Sequence, residues 1–252
     1  MNLSVRAGLA AFAAALLVSG CGDVPPERPT AGEPKVTDVG LVTSLPIIWH
    51  ESGSVSGLLG DDRPPHWVLG ALRAVGNVRP LDSLAGPSGT LPLPADALLV
   101  LAQPYPFSPQ ENVALDTWVR AGGRVLLFAD PMLTQDSAYA LGDRRRPQDV
   151  ILLSPILNRW GLQLLFDENQ PKGEREVQID QATLPVNLSG TFAISGKGSE
   201  CVLTAQSLVA DCRIGRGQLV AVADAALLDD APADGAEVRE SALSSLLSRL
   251  DR

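Results

Sequence analysis

The chain is poor in the residues that make nucleophiles and bases, with three cysteines and two histidines. Covalent catalysis needs an activated nucleophile beside a base, and no such pair can be named from the sequence. Gly53-Ser54-Val55-Ser56-Gly57 has the outline of a serine-hydrolase elbow but puts Val55 where the nucleophile must stand. Gly196-Lys197-Gly198-Ser199 has the outline of a phosphate loop, yet Thr191 takes the first glycine's place and Gly198 follows the lysine. Both read as flexible turns. His50 and His66 flank a long loop, and Trp49-His50-Glu51 with Asp61-Asp62 has no metal-ligand spacing. Neither a metal nor a cofactor is expected.

Carboxylates offer more. Asp130 and Asp224 each follow a buried apolar run directly. In open α/β sheets, ligands bind in the crevice outside the carboxyl ends of the strands, and Ser44 and Gln103 can reach the same rim. Two readings stand: the aspartates contact a ligand there, or they cap the turns that follow. As an acid/base pair on a sugar they would need carboxyl groups roughly 5–9.5 Å apart beside an open cleft. Arg144-Arg145-Arg146 could meet a phosphate or an acidic partner, or be ordinary exposed loop arginines. Cys201 and Cys212 flank a segment that reads as two short strands around a turn near Gln206-Ser207. Bending there brings them face to face, so a disulfide is expected in an oxidising compartment.

The elements that must position these residues follow from periodicity. Val39–Ile48 is a β-rich run ending near Ser44-Leu45-Pro46. Trp67, Val68, Ala71, Leu72 and Val75 make one helix face, stopped by Gly76-Asn77. Val78–Leu84 reads as a short second strand. Ala97–Ala102 is a strand buried on both faces. Ser108-Pro109-Gln110-Glu111 is a capping box with proline at the first helical position. That helix carries Leu115, Trp118 and Val119 and stops at Gly122-Gly123. Val125–Ala129 is the next buried strand, so the stretch is a βαβ unit and the sheet is parallel. Ser154–Trp160 is a short helix and Leu162–Phe166 the following strand. Residues 170–215 are β-rich. Gln218–Ala223 is a last buried strand, and Leu243, Leu246, Leu247 and Leu250 mark a final helix over about 236–250.

The N-terminus is an address rather than part of the fold. Arg6 precedes an apolar run, Ala7–Val18, of about a dozen residues, well short of the roughly 20 that a spanning helix needs. The run ends in Val18-Ser19-Gly20-Cys21, which resembles the lipobox of bacterial lipoproteins. That resemblance implies cleavage of residues 1–20 and a diacylglycerol thioether on Cys21, with further acylation (palmitate or similar) completing the anchor. Two or three acyl chains hold firmly where one holds marginally. The expected location is the bacterial cell envelope, facing the periplasm. Gly22 follows the cysteine and Asp23 comes one place later, so the inner or outer membrane stays open. Residues 21–35 are rich in proline, glycine and charge and form a tether. The domain proper is residues 36–252.

A net charge of −9 excludes an electrostatic footprint for nucleic acid. It also leaves membrane attachment to the lipid. Three segments, SPQENVALDTWVRAGGRVLLFADPML, LSPILNRWGLQL and GRGQLVAVADAALLDD, resemble the soluble extracytoplasmic domain of the gliding-motility-type ABC transporter auxiliary proteins, the uncharacterised ABC-type transport system family. The likeness is spread in order over most of residues 36–250, and WVRAGGRVLLFADP is its best motif. It implies a three-layer α/β fold of the flavodoxin/glutamine-amidotransferase-like kind, with a β-rich C-terminal insertion. It also implies a non-enzymatic accessory role beside an ABC transporter permease. Many members carry transmembrane helices, where this chain has a lipobox. A class I amidotransferase needs cysteine on a strand-to-helix turn; the turns at Gln103–Pro106, Ala129–Pro131 and Ala223–Ala225 have none. The competing readings are a free-standing ligand-binding lipoprotein and an envelope hydrolase.

Overall fold

The structure, a computed structural model, describes residues 37–52, 63–196, 200–230 and 235–250. The leader, Cys21, the tether, the Gly53–Gly57 turn, Asp61, Asp62 and Lys197–Ser199 lie outside the described residues. Residues Val36–Arg252 form one compact unit.

Five strands run parallel: β1 (Thr37–Thr43), β2 (Gly76–Pro80), β3 (Leu98–Ala102), β4 (Arg124–Phe128) and β11 (Gly217–Val222). With β9 (Glu200–Thr204) and β10 (Val209–Ile214) they make a seven-stranded sheet, ordered β2-β1-β3-β4-β11-β10-β9. The chain steps one way from β1 to β2 and the other way from β3 to β4. Right-handed crossovers in opposite directions place their helices on opposite faces. Accordingly α1 (Trp67–Val75) packs with the last helix, α4 (Ala236–Arg249), while α2 (Pro109–Arg120) packs with α3 (Ser154–Arg159). The fold is a mixed α/β sheet between helices, as the sequence implied.

Strand character follows burial. All five residues of β3 and four of the five in β4 are buried. A sheet covered on both faces selects continuous apolar runs rather than alternation. The capping box forms as read, with the Ser108 hydroxyl accepting from Glu111 N and the Glu111 carboxylate accepting from Ser108 N. On the inner side of α2, Asp116 accepts from Arg120 Nε (2.9 Å), Arg159 Nε (2.7 Å) and Trp160 Nε1 (3.0 Å), tying α3 to α2. Burial acts to raise this carboxyl, but the three donors outweigh it and hold it below the ordinary range.

β2 begins at Gly76, directly after α1, rather than at Val78. β5 (Leu162–Leu165) lies outside the main sheet and pairs antiparallel with β8 (Thr191–Ile194). The β-rich stretch divides into three pieces. β6 (Arg175–Ile179) and β7 (Ala182–Val186) form their own ribbon against α4, β8 joins β5, and β9–β10 extend the central sheet antiparallel. Cys201 and Cys212 lie directly opposite on β9 and β10 and are disulfide-bonded, with Cα atoms 4.0 Å apart. The hairpin turns through four residues, 205–208, with Ala205, Gln206 and Ser207 at positive φ.

Candidate functional site

The carboxyl edge of the parallel strands has two layers. The lower one holds the four polar residues singled out in the sequence. Gln103 follows β3 with φ 47° and is wholly buried. Its side-chain amide continues the β3–β4 ladder by one step. Oε1 accepts from Asp130 N (2.8 Å), and Nε2 donates to Asp130 O (3.0 Å) and to Gln148 O (2.8 Å). Ser44 Oγ donates to Gln103 O (2.5 Å) and accepts from Gln148 N (2.9 Å). Asp130 accepts from Met132 N (2.8 Å) on one oxygen and from Ala225 N (3.1 Å) on the other. Asp224 accepts from Ala226 N (2.6 Å) and Asn187 N (2.9 Å).

Both carboxyl groups are only 1% exposed. Burial pushes Asp130 up to about 7, against the pull of its two backbone donors and with the charge of Asp229 adding to the rise. Asp224 also lies well above the ordinary range, first through burial and then through the charge of Asp130. The structure therefore gathers Ser44, Gln103, Asp130 and Asp224 into one layer, in which Gln103, Asp130 and Asp224 are buried beneath the rim and Ser44 also lines the pocket above. Their polar atoms lock the loops after β1, β3, β4 and β11 to one another.

The upper layer is open. A pocket of about 380 Å³ sits over the carboxyl ends of β1 and β2. The loop after β1 supplies Ile48, Trp49, His50 and Glu51; the segment after β2 supplies Leu81 and Asp82; Tyr105, Tyr139 and Arg145 come from farther along the chain. The loop from Leu133 to Val150 is fastened over the first. The Glu51 carboxylate accepts from Ser137 Oγ (2.8 and 2.9 Å) and Ala138 N (2.5 Å), Ser52 N donates to Tyr139 Oη (3.4 Å), and Tyr105 Oη bonds the carbonyls of Arg144 and Arg146 (3.2 and 3.1 Å). The arginine triplet is partly neutralised in place. Arg145 grips Asp143 through two nitrogens (3.1 and 2.7 Å) and lies 4.3 Å over the Tyr139 ring, and Arg146 pairs with Asp149.

His50 lines this pocket, whereas His66 is the N-cap of α1, with Nδ1 accepting from Val68 N (3.3 Å). Burial lowers His66 from its usual value, although Asp230 beside it opposes that. Among the described residues no cluster of three or more His, Cys, Asp and Glu could hold a metal ion. Sequence reasoning named Trp49, His50 and Glu51 only for a metal, and missed Asp82, Tyr105 and Tyr139. The signal that finds them is topological. Loops at the carboxyl ends of parallel strands build the binding crevice of such sheets, and the pocket lies over the ends of β1 and β2.

Residues 37–183 match the family model described as ABC-type uncharacterized transport system. The chain belongs to this family. Membership supports the transport resemblance drawn above from the WVRAGGRVLLFADP region. No curated protein matches the chain significantly. Among solved structures, the exo-beta-1,4-mannosidase Op5Man5 from Opitutaceae bacterium strain TAV5 is 14% identical with a TM-score of 0.52; the likeness covers 85% of this chain and 36% of that one. The mmIFT52 N-terminal domain is 13% identical with a TM-score of 0.51, covering 84% of this chain and 96% of that domain. At these identities the family member shares a fold with them, and this chain spans little more than a third of the mannosidase.

Proposed function

We propose that this chain is a lipid-anchored, extracytoplasmic accessory subunit of an ABC-type transporter that works by binding rather than by catalysis. Family membership supplies the transport system; the anchor and the accessory role are inferences from the lipobox and the resemblance. One observation carries the binding reading. The polar layer at the strand ends is buried and hydrogen-bonded to backbone, while the open space beside it is an aromatic-walled pocket over the carboxyl ends of β1 and β2. Hydrolysis would need a nucleophile or acid/base pair open to substrate and within hydrogen-bond reach of one another. The test is isolation of the tagged full chain from detergent-solubilised membranes. A multi-spanning permease and an ATPase should co-isolate in defined stoichiometry. A chain recovered alone at native expression, after mild detergent and cross-linking, would overturn the accessory role in favour of a free-standing binding lipoprotein.

A further inference from the structure

The chemistry of the pocket narrows what it can hold. Its volume, about 380 Å³, lies in the range of small-molecule sites. Trp49 is 79% exposed, an unusual position for an indole, and Tyr105 and Tyr139 bring two more rings to the same space. Aromatic faces carry negative potential and attract cations.

Carboxylates outnumber arginines in the lining, Asp82 and Glu51 against Arg145. Asp82 is exposed on the pocket wall, and its carboxylate has no partner among the described residues. The Glu51 carboxylate accepts from Ser137 Oγ and Ala138 N, and Arg63 donates to the Glu51 backbone carbonyl (3.2 Å). Arg145 is the cation of the lining, and both its bonds to Asp143 and its seat on the Tyr139 ring neutralise it. A phosphate or carboxylate would have to compete with Asp143 for Arg145. The Tyr105 phenol reports the same field: burial raises it, and the charges of Asp143 and Glu51 raise it further.

Resting on the binding-subunit reading above, we infer that the pocket over β1 and β2 takes a small organic ammonium ion, seated against the Trp49 and Tyr105 rings with its charge toward Asp82. The aliphatic wall of Leu81 and Pro80 suits methyl or methylene groups on the nitrogen.

The probe is choline chloride, titrated calorimetrically into the full chain in a polyoxyethylene-ether detergent, with glucose and inorganic phosphate as comparators. Choline should bind saturably. Asp82→Asn and Trp49→Ala should each weaken it threefold or more, and Glu200→Gln, on the distant strand β9, should leave it unchanged. Asp82 and Trp49 are exposed, so these variants should keep the wild-type circular dichroism and melting temperature. No choline binding, or choline binding that both variants leave intact, overturns the inference. If glucose or phosphate binds instead with dependence on Trp49, the cation is wrong but the binding reading stands. If choline binds and no permease co-isolates, the accessory role fails and the ligand class stands.

Discussion

Buried aspartates at the ends of adjacent parallel strands set the protein's response to pH. Asp130 is held near 7 and Asp229 near 6, mainly by burial, and Asp224 is raised beside them. The folded state thus keeps protons that the unfolded chain loses at about pH 4. Stability rises with pH only where the unfolded state binds more protons; here the folded state binds more. The contribution is fully present below about pH 4 and is lost as pH rises through 6 to 7. Asp116 and Glu111 act in the opposite sense. Hydrogen bonds outweigh their burial and lower them, so what they contribute is lost as pH falls below the ordinary carboxylate range. The two trends place maximum stability in weakly acidic solution. Urea midpoints measured from pH 4 to 8 should decline above about pH 5. Asp130→Asn should flatten that decline while lowering stability at pH 5 by about 1–2 kcal/mol, because the Ala225 N–H loses its acceptor. An unchanged slope in the variant would remove Asp130 from the account.

At the scale of elements, the joint between α2 and β11 is the tightest in the fold. A Cβ on Gly217 would lie 2.0 Å from Val119 O and 2.4 Å from Gly123 O, both backbone atoms that cannot swing aside. Gly217→Ala should therefore cost about 2–4 kcal/mol in chemical denaturation, far more than the same change at Gly70, which has open space around it. Equal costs at the two positions would refute the close approach. Local sequence signals made much of this legible. The capping box at Ser108, the glycines after α2 and the apolar runs of β3 and β4 each specify their own element, and the βαβ unit follows from their order. Partners in space are not written locally. Leu162–Leu165 reads as a strand whether it joins the main sheet or pairs with Thr191–Ile194, because the choice depends on which apolar surface the finished sheet leaves uncovered. For the same reason Asp130 and Asp224 were legible as strand-end residues, while whether they faced a ligand or the backbone of neighbouring loops was not. Tyr105, Tyr139 and Asp82 meet only once the loops fold over the carboxyl ends of β1 and β2.

For the whole molecule, the decisive geometry is that the described chain enters at the amino end of β1, whereas the pocket opens over its carboxyl end. A parallel sheet fixes this polarity. Every strand next to β1 presents its carboxyl end to the same edge, so the loops that build a site collect at the end opposite the point of entry. The domain is acidic and has no electrostatic attraction of its own for anionic lipid. Residence at the membrane in the absence of a partner should depend on the lipid at Cys21. Cys21→Ser is accordingly expected to abolish acyl labelling and to leave an uncleaved or mislocalised precursor, while the domain itself keeps its fold, since Cys21 lies outside the Val36–Arg252 unit. Metabolic labelling with a radioactive fatty acid, followed by carbonate extraction of the membrane fraction, makes the comparison. Wild-type protein found unlabelled in the soluble fraction would rule out the anchor. A labelled Cys21→Ser protein would overturn Cys21 as the acceptor.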